Sequence, residues 1–198
     1  MRAVAAFLLF LLALLAIALN RAAAPAEAKP ADLRLSTIAG ELAGRDVHVR
    51  CEGVTGEIVG VDGQSGRTMF VNGRPADETI LMEGICERLH RYSQLTKTGV
   101  DCLLPCDGSA IETAWSLNAL AHESYHLAGI RNEARTECYA LQAVDFVARR
   151  LGATAQQARQ LATFAFAELP PEMPAEYTSP ECRNGGRFDL RPDSALWP

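Results

Sequence analysis

The chain has 198 residues, of which 48% are hydrophobic, and a formal net charge of −5. That length supports a real core in one domain, and the acidic balance argues against a nucleic-acid partner or an electrostatic hold on an anionic membrane.

A lone Arg2 precedes an uninterrupted apolar run from Ala3 to Leu19, and small residues after it offer cleavage sites at Ala24 and Ala28. Residues 1–28 therefore read as a signal peptide or an N-terminal membrane anchor, because the run is long for a signal core and slightly short for a comfortable bilayer span. The rest, 29–198, reads as a single domain acting outside the cytoplasm, either secreted or tethered through its N-terminal segment. Six cysteines follow the leader, at Cys51, Cys86, Cys102, Cys106, Cys138 and Cys182. An even number outside the cytoplasm implies three disulfides, and position suggests Cys51 with Cys86, Cys102 with Cys106, and Cys138 with Cys182. No CxxC pair favours a cysteine metal site.

Residues 29–45 are weakly periodic and suggest a short helix or an extended lead-in around Leu33 to Leu42. From Asp46 to Val71, DVHVRCEG, GEIVGVDG and RTMFVNG alternate branched or aromatic residues with polar ones and are broken by Gly and Asn-Gly. This is strand and hairpin chemistry, and a small antiparallel sheet is expected. Ile80, Leu81, Ile85 and Leu89 recur at helical spacing, predicting a helix with Cys86 and Leu89 turned inward. Ser109 and Glu112 form a capping-box pattern opening a helix that runs to Gly129. Asn132 caps a second helix reaching Gly152. Thr154 and Gln157 open a third, stopped by Pro170 and Pro171. The tail from 173 to 198, rich in Pro and Gly, reads as an irregular strap tied down through Cys182. Within it, Asp189 and Arg191 suggest a charged contact, while Arg149 and Arg150 suit a helix C-terminus. The expected fold class is α+β: a small N-terminal antiparallel sheet followed by a mainly helical half.

The residues that carry chemistry lie on the first of those three helices. His122 and His126 are four apart, so a helix puts both imidazoles on one face, and Glu123 completes an HExxH pattern. Two neutral imidazoles and a third protein ligand suit Zn2+, leaving a fourth position for water whose pKa the metal lowers toward about 7. Glu123 beside that water can act as general base. For the third ligand, His48 and His90 lie upstream, in the expected sheet and the earlier helix. A helix hairpin turning near Gly129 and Ile130 instead brings residue 133 opposite His126 and residue 137 opposite His122, and both are glutamate. Trp115 and Asn118 lie on the histidine face of the helix and suit either a groove wall or ordinary packing. Tyr177, Arg131 and Tyr125 are available to stabilise an oxyanion.

HESYH followed by NEARTECYA resembles the glutamate-type zincins, such as thermolysin-like and CaaX-type membrane proteases, over about residues 109–150. The resemblance implies Glu133 as third zinc ligand, with Glu137 supporting His122 from behind. It also implies hydrolysis of a peptide or protein substrate. The link from His126 to Glu133 is far shorter than in thermolysin, and residue 137 is Glu where Asp is usual, so Glu137 stands as an alternative ligand. Gly129 resembles the turn glycine of metzincins, but Asn132 occupies the place of their third ligand. Readings of other classes are an exported module with structural zinc, closed by Glu137 as fourth ligand, and a disulfide-bonded binding module without metal.

Overall fold

The structure is a computed structural model and describes residues 29–53, 65–97, 110–194 and 197–198. The leader, the GEIVGVDG segment, Ser109 and the Cys102 and Cys106 pair lie outside the described residues.

Helix α1, Leu33–Ala43, starts where the Asp32 carboxylate accepts the Leu35 N–H and stops at Gly44, whose φ of 69° suits a residue without Cβ. Its inward Leu35, Ile38 and Ala39 are buried. The Ser36 hydroxyl on the same face takes the Val49 N–H at 2.9 Å and fastens β1, His48–Glu52, to the helix. β2, Gly66–Val71, and β3, Arg74–Met82, form a hairpin across Asn72-Gly73. Both turn residues have positive φ, 52° and 79°, as the tight right-twisted hairpin requires.

The sheet order is β1-β3-β2, so β3 is central. β2 pairs with it antiparallel, but β1 pairs parallel, His48 opposite Glu78 through Glu52 opposite Met82. The expected antiparallel sheet is thus mixed. The hairpin reverses the chain once and gives β3 a free edge, and β1 takes that edge running the same way as β3. The sequence pattern marks strands but not their partners.

Ile80 and Leu81 correct a second expectation, because they belong to β3 and not to the helix. A short apolar run fits either period; here Thr79 and Leu81 alternate as the buried residues of the strand. The helix begins one residue after the strand ends. In α2, Glu83–Lys97, Cys86, Leu89, Tyr92 and Ser93 turn inward, and Cys86 is bonded to Cys51 of β1.

The helical half follows the sequence closely. α3 is Ala110–Leu127, α4 is Glu133–Arg150 and α5 is Ala155–Glu168. Glu112 pairs with Arg88 of α2. The Asn132 side chain accepts the Arg135 N–H, and Thr154 and Gln157 form the full capping box. Leu117, Leu120 and Leu127 of α3 pack with Val144 and Val147 of α4 and Leu161 of α5 in one core, against which Leu81 and Leu89 close from the sheet side. The tail folds as two short 3-10 turns, Pro170–Glu172 and Ala175–Tyr177, and is fixed by Cys138 bonded to Cys182. Buried Gln142 adds a clamp: its amide donates to Phe188 O at 2.7 Å and accepts Leu190 N–H at 2.8 Å. Asp189 caps turns instead of pairing with the Arg191 guanidinium, its two oxygens taking the N–H groups of Gly185 and Arg191. Arg150 pairs with Glu41 of α1. These two disulfides are compatible with an extracellular setting. Among the described residues no helix is long and apolar enough to cross a membrane.

Candidate metal centre

Leu127 ends α3, and the chain then makes a Schellman turn. Gly129, at φ 97°, sends its N–H to His126 O at 2.8 Å, and Ile130 N–H reaches Tyr125 O at 3.2 Å. This turn also presents the Ile130 carbonyl to His126, which donates its Nδ1–H there at 2.7 Å. His122 directs its Nδ1 to Glu137 Oε2 at 2.8 Å, while Glu137 Oε1 accepts the Asn118 amide at 2.8 Å. Each imidazole therefore has its Nδ1 engaged from behind, leaving the two Nε2 atoms turned to a common point.

Glu133, in the first turn of α4, meets them there. Its Oε2 lies 3.2 Å from His122 Nε2 and 3.2 Å from His126 Nε2, and all three donor atoms fall within 4.8 Å of one another. Tetrahedral zinc with bonds of 2.0–2.2 Å separates neighbouring donors by about 3.3–3.6 Å, so the donor set and the two 3.2 Å spacings fit that ion closely. Glu137 stands outside this cluster, with both oxygens engaged elsewhere. His48 and His90 do not join it either; His90 pairs with Asp32.

The electrostatics follow from the contacts. Burial opposes a charged His122, but hydrogen bonds to Glu133 and Glu137 overcome it and push the imidazole up to about 10. Burial likewise opposes the Glu133 carboxylate, yet the two histidines hold it down at about 2. A proton on His122 Nε2 would occupy the place that a cation fits.

Glu123 faces the sheet. Its Oε2 takes the Thr68 hydroxyl of β2 at 2.7 Å and lies 3.2 Å from the Thr79 hydroxyl of β3, which also lies 2.9 Å from Arg67 O. The helix comes this close because residue 66 is glycine. A Cβ there would stand 2.8 Å from Glu123 Cγ and 2.7 Å from Leu81 Cδ2. Sequence reasoning missed Gly66, Thr68 and Thr79. The alternation in RTMFVNG puts Thr68 and Phe70 on one strand face, which was the available signal, but it does not say which helix that face meets.

A cleft of about 380 Å3, within the usual range for ligand sites, opens over the cluster. It runs between α3 and β2, and the strap closes one side with Met173, Pro174 and Tyr177. Trp115 and Asn118 line it, so both take part in a groove. The Tyr177 ring lies 5.7 Å from that of His122. Arg131 also lines the cleft, its guanidinium 5.2 Å over Phe70. Tyr125 does not; it packs edge-on against Tyr139, and burial pushes its hydroxyl up to about 12. No protein-family model, no curated protein and no solved structure matches this chain.

Proposed function

We propose that this protein is a zinc-dependent hydrolase, most specifically a peptidase acting outside the cytoplasm, with Glu123 as its general base. The observation that carries the reading is the Glu133 oxygen 3.2 Å from both Nε2 atoms while both Nδ1 atoms are engaged behind. His122, His126 and Glu133 would hold the ion. Bound zinc would polarise a carbonyl and acidify water toward a pKa of about 7.

The chain's own residues do the rest. Glu123 takes a proton from the attacking water and returns it to the leaving nitrogen, so that one carboxylate serves as base and then acid. Thr68 and Thr79 hold Oε2 in both roles, their hydroxyls donating to it, while the other oxygen takes up the proton and hands it on. Glu137 and the Ile130 carbonyl keep the imidazoles in the tautomer that presents Nε2. Tyr177, which lines the cleft with its ring 5.7 Å from that of His122, would meet a developing oxyanion. A purely structural zinc site needs four protein ligands, and the described residues supply three in this cluster.

Purified protein is expected to carry one zinc per chain and to hydrolyse unstructured peptides. Glu123→Gln should keep the metal and lose about 100- to 10,000-fold in kcat. Elemental analysis beside a fluorogenic peptide assay checks both. A wild type without zinc, or an undiminished Glu123→Gln, removes the reading.

A further inference from the structure

The two walls of the cleft keep the same order along its length. Trp115 of α3 donates its indole N–H to Ser65 at the start of β2. Next along both elements, Glu123 meets Thr68. Last, His126 meets the edge of Phe70, with ring centroids 6.1 Å apart, and Arg131 lies over the same Phe70. At about 1.5 Å per residue, Trp115 and His126 are about 16 Å apart along the helix, room for several residues of extended chain. The cleft is therefore long, with Trp115 at one end and Arg131 over Phe70 at the other, and Arg67 of β2 also on its wall.

Arg131 differs from several of the arginines around the fold. Arg45, Arg50, Arg88, Arg149 and Arg150 are each matched to a carboxylate. Arg131 engages only the ring of Phe70 and has no acceptor among the described residues. Its place is set by the Schellman turn before it and the Asn132 cap after it. A guanidinium held on an aromatic face keeps its N–H donors in a planar fork suited to a carboxylate. Between the two ends, Asn118 lines the cleft and donates its amide N–H to Glu137.

We propose that Arg131 reads an anionic group of the substrate, so that the preferred peptide places a carboxylate at the Arg131 end of the cleft and a bulky apolar side chain at the Trp115 end. This rests on the peptidase reading and names the substrate class for it. The carboxylate comes either from an Asp or Glu side chain or from a free C-terminus.

The test uses zinc-loaded full-length protein and quenched alanine-based peptides. Each carries one Phe and, several residues away in either chain direction, Asp, Asn or Lys, and each is made with a free or an amidated C-terminus. Wild type should favour Asp over Asn, or the free acid over the amide, by about tenfold in kcat/KM, chiefly through KM, and the preference should shrink as salt rises from about 50 mM to about 500 mM. Which of the two pairs shows the effect identifies the source. Arg131→Gln should bring the ratio close to one, and Arg131→Glu should turn it toward Lys. Cleavage with no acidic preference, or a preference that survives Arg131→Gln, overturns the proposal and leaves the peptidase reading standing. No cleavage of any peptide counts against the peptidase reading itself. In that event fluorescence anisotropy of the labelled peptides decides: acid-selective binding lost in Arg131→Gln upholds the anion site, and charge-blind binding overturns it.

Discussion

The half of the site that gathers the candidate metal ligands is drawn from residues 122–137, whereas the half that holds Glu123 comes from Thr68 and Thr79, 55 and 44 residues upstream. In the first, one helix, one Schellman turn and one capped helix suffice: the turn that reverses the chain also supplies the acceptor for His126. In the second, a hairpin must fold, dock on α3 and come close enough through Gly66 for two hydroxyls to reach one carboxylate. Local contacts build the candidate ligand set and non-local contacts hold the proposed base. The two should therefore fail separately, with lesions among residues 122–137 lowering zinc affinity and lesions in the sheet lowering turnover with the zinc retained.

The largest effect is expected at Glu137. It is 3% exposed and joins His122 to Asn118, so its loss releases the imidazole from the tautomer and orientation that present Nε2. Glu137→Ala should weaken zinc binding by about 100-fold, and Glu137→Gln, which keeps an acceptor but not the charge, by about tenfold. Competition against a chromogenic chelator measures this, with circular dichroism to show that the helices persist. Unchanged affinity in the Ala variant would mean that the support behind His122 contributes nothing.

The same division explains which parts of the site were open to inspection of the sequence. His122, Glu123 and His126 declare themselves by spacing, and Glu133 and Glu137 follow because a short helix hairpin fixes who faces whom. The Asn132 and Thr154 caps and the Asn72-Gly73 turn are equally local, and the structure has each where its side-chain chemistry requires. Thr68 and Thr79 had no such mark. A threonine in a strand is ordinary, and its role depends on a register that pairs it with the other threonine and on a packing that sets both under Glu123. The parallel placement of β1 and the assignment of Ile80 and Leu81 to β3 were hidden for the same reason, since strand pairing is decided by partners distant in sequence. Gln142 tells the matching story for the strap: a buried amide in an apolar stretch of α4 has to find partners, but only the structure shows that they are Phe188 and Leu190.

A smaller effect is expected at Thr68. Its hydroxyl hydrogen bond to a buried carboxylate contributes roughly 1.5–3 kcal/mol, and Thr79 shares the same oxygen, so part of the positioning survives its removal. Thr68→Val should lower kcat about tenfold with little change in KM and none in zinc content, whereas Thr68→Ser, which restores the hydroxyl, should return most of the rate. A merely structural role for Thr68 would show as equal losses in the Val and Ser variants, or as a loss of zinc together with activity.

The smallest effect is a proton count, and it bears on the ligand half alone. In the metal-free protein His122 is charged at neutral pH, because its value of about 10 lies above the ordinary 6.5. One proton then sits at Nδ1 facing Glu137 and the other at Nε2 facing Glu133. A folded-state value raised in this way stabilises the metal-free fold fully below about pH 6.5, and the contribution fades as pH rises through about 10. The melting temperature measured in chelator should accordingly fall between pH 7 and pH 10 by more in wild type than in His122→Gln. Glu133, held at about 2, adds the opposite limb: its share is present above about pH 4.5 and is lost as the solution is acidified toward 2. Loading zinc at pH 7 must then displace the Nε2 proton of His122 while the Nδ1 proton stays with Glu137. Calorimetric titrations of the wild type in two buffers of different ionisation enthalpy should report about one proton released per ion from this histidine at pH 7, and a release that diminishes as pH approaches 10. If the wild type releases no proton on binding zinc at pH 7, the imidazole was already neutral, and the Glu133 and Glu137 pair does not hold a proton in the place of the cation.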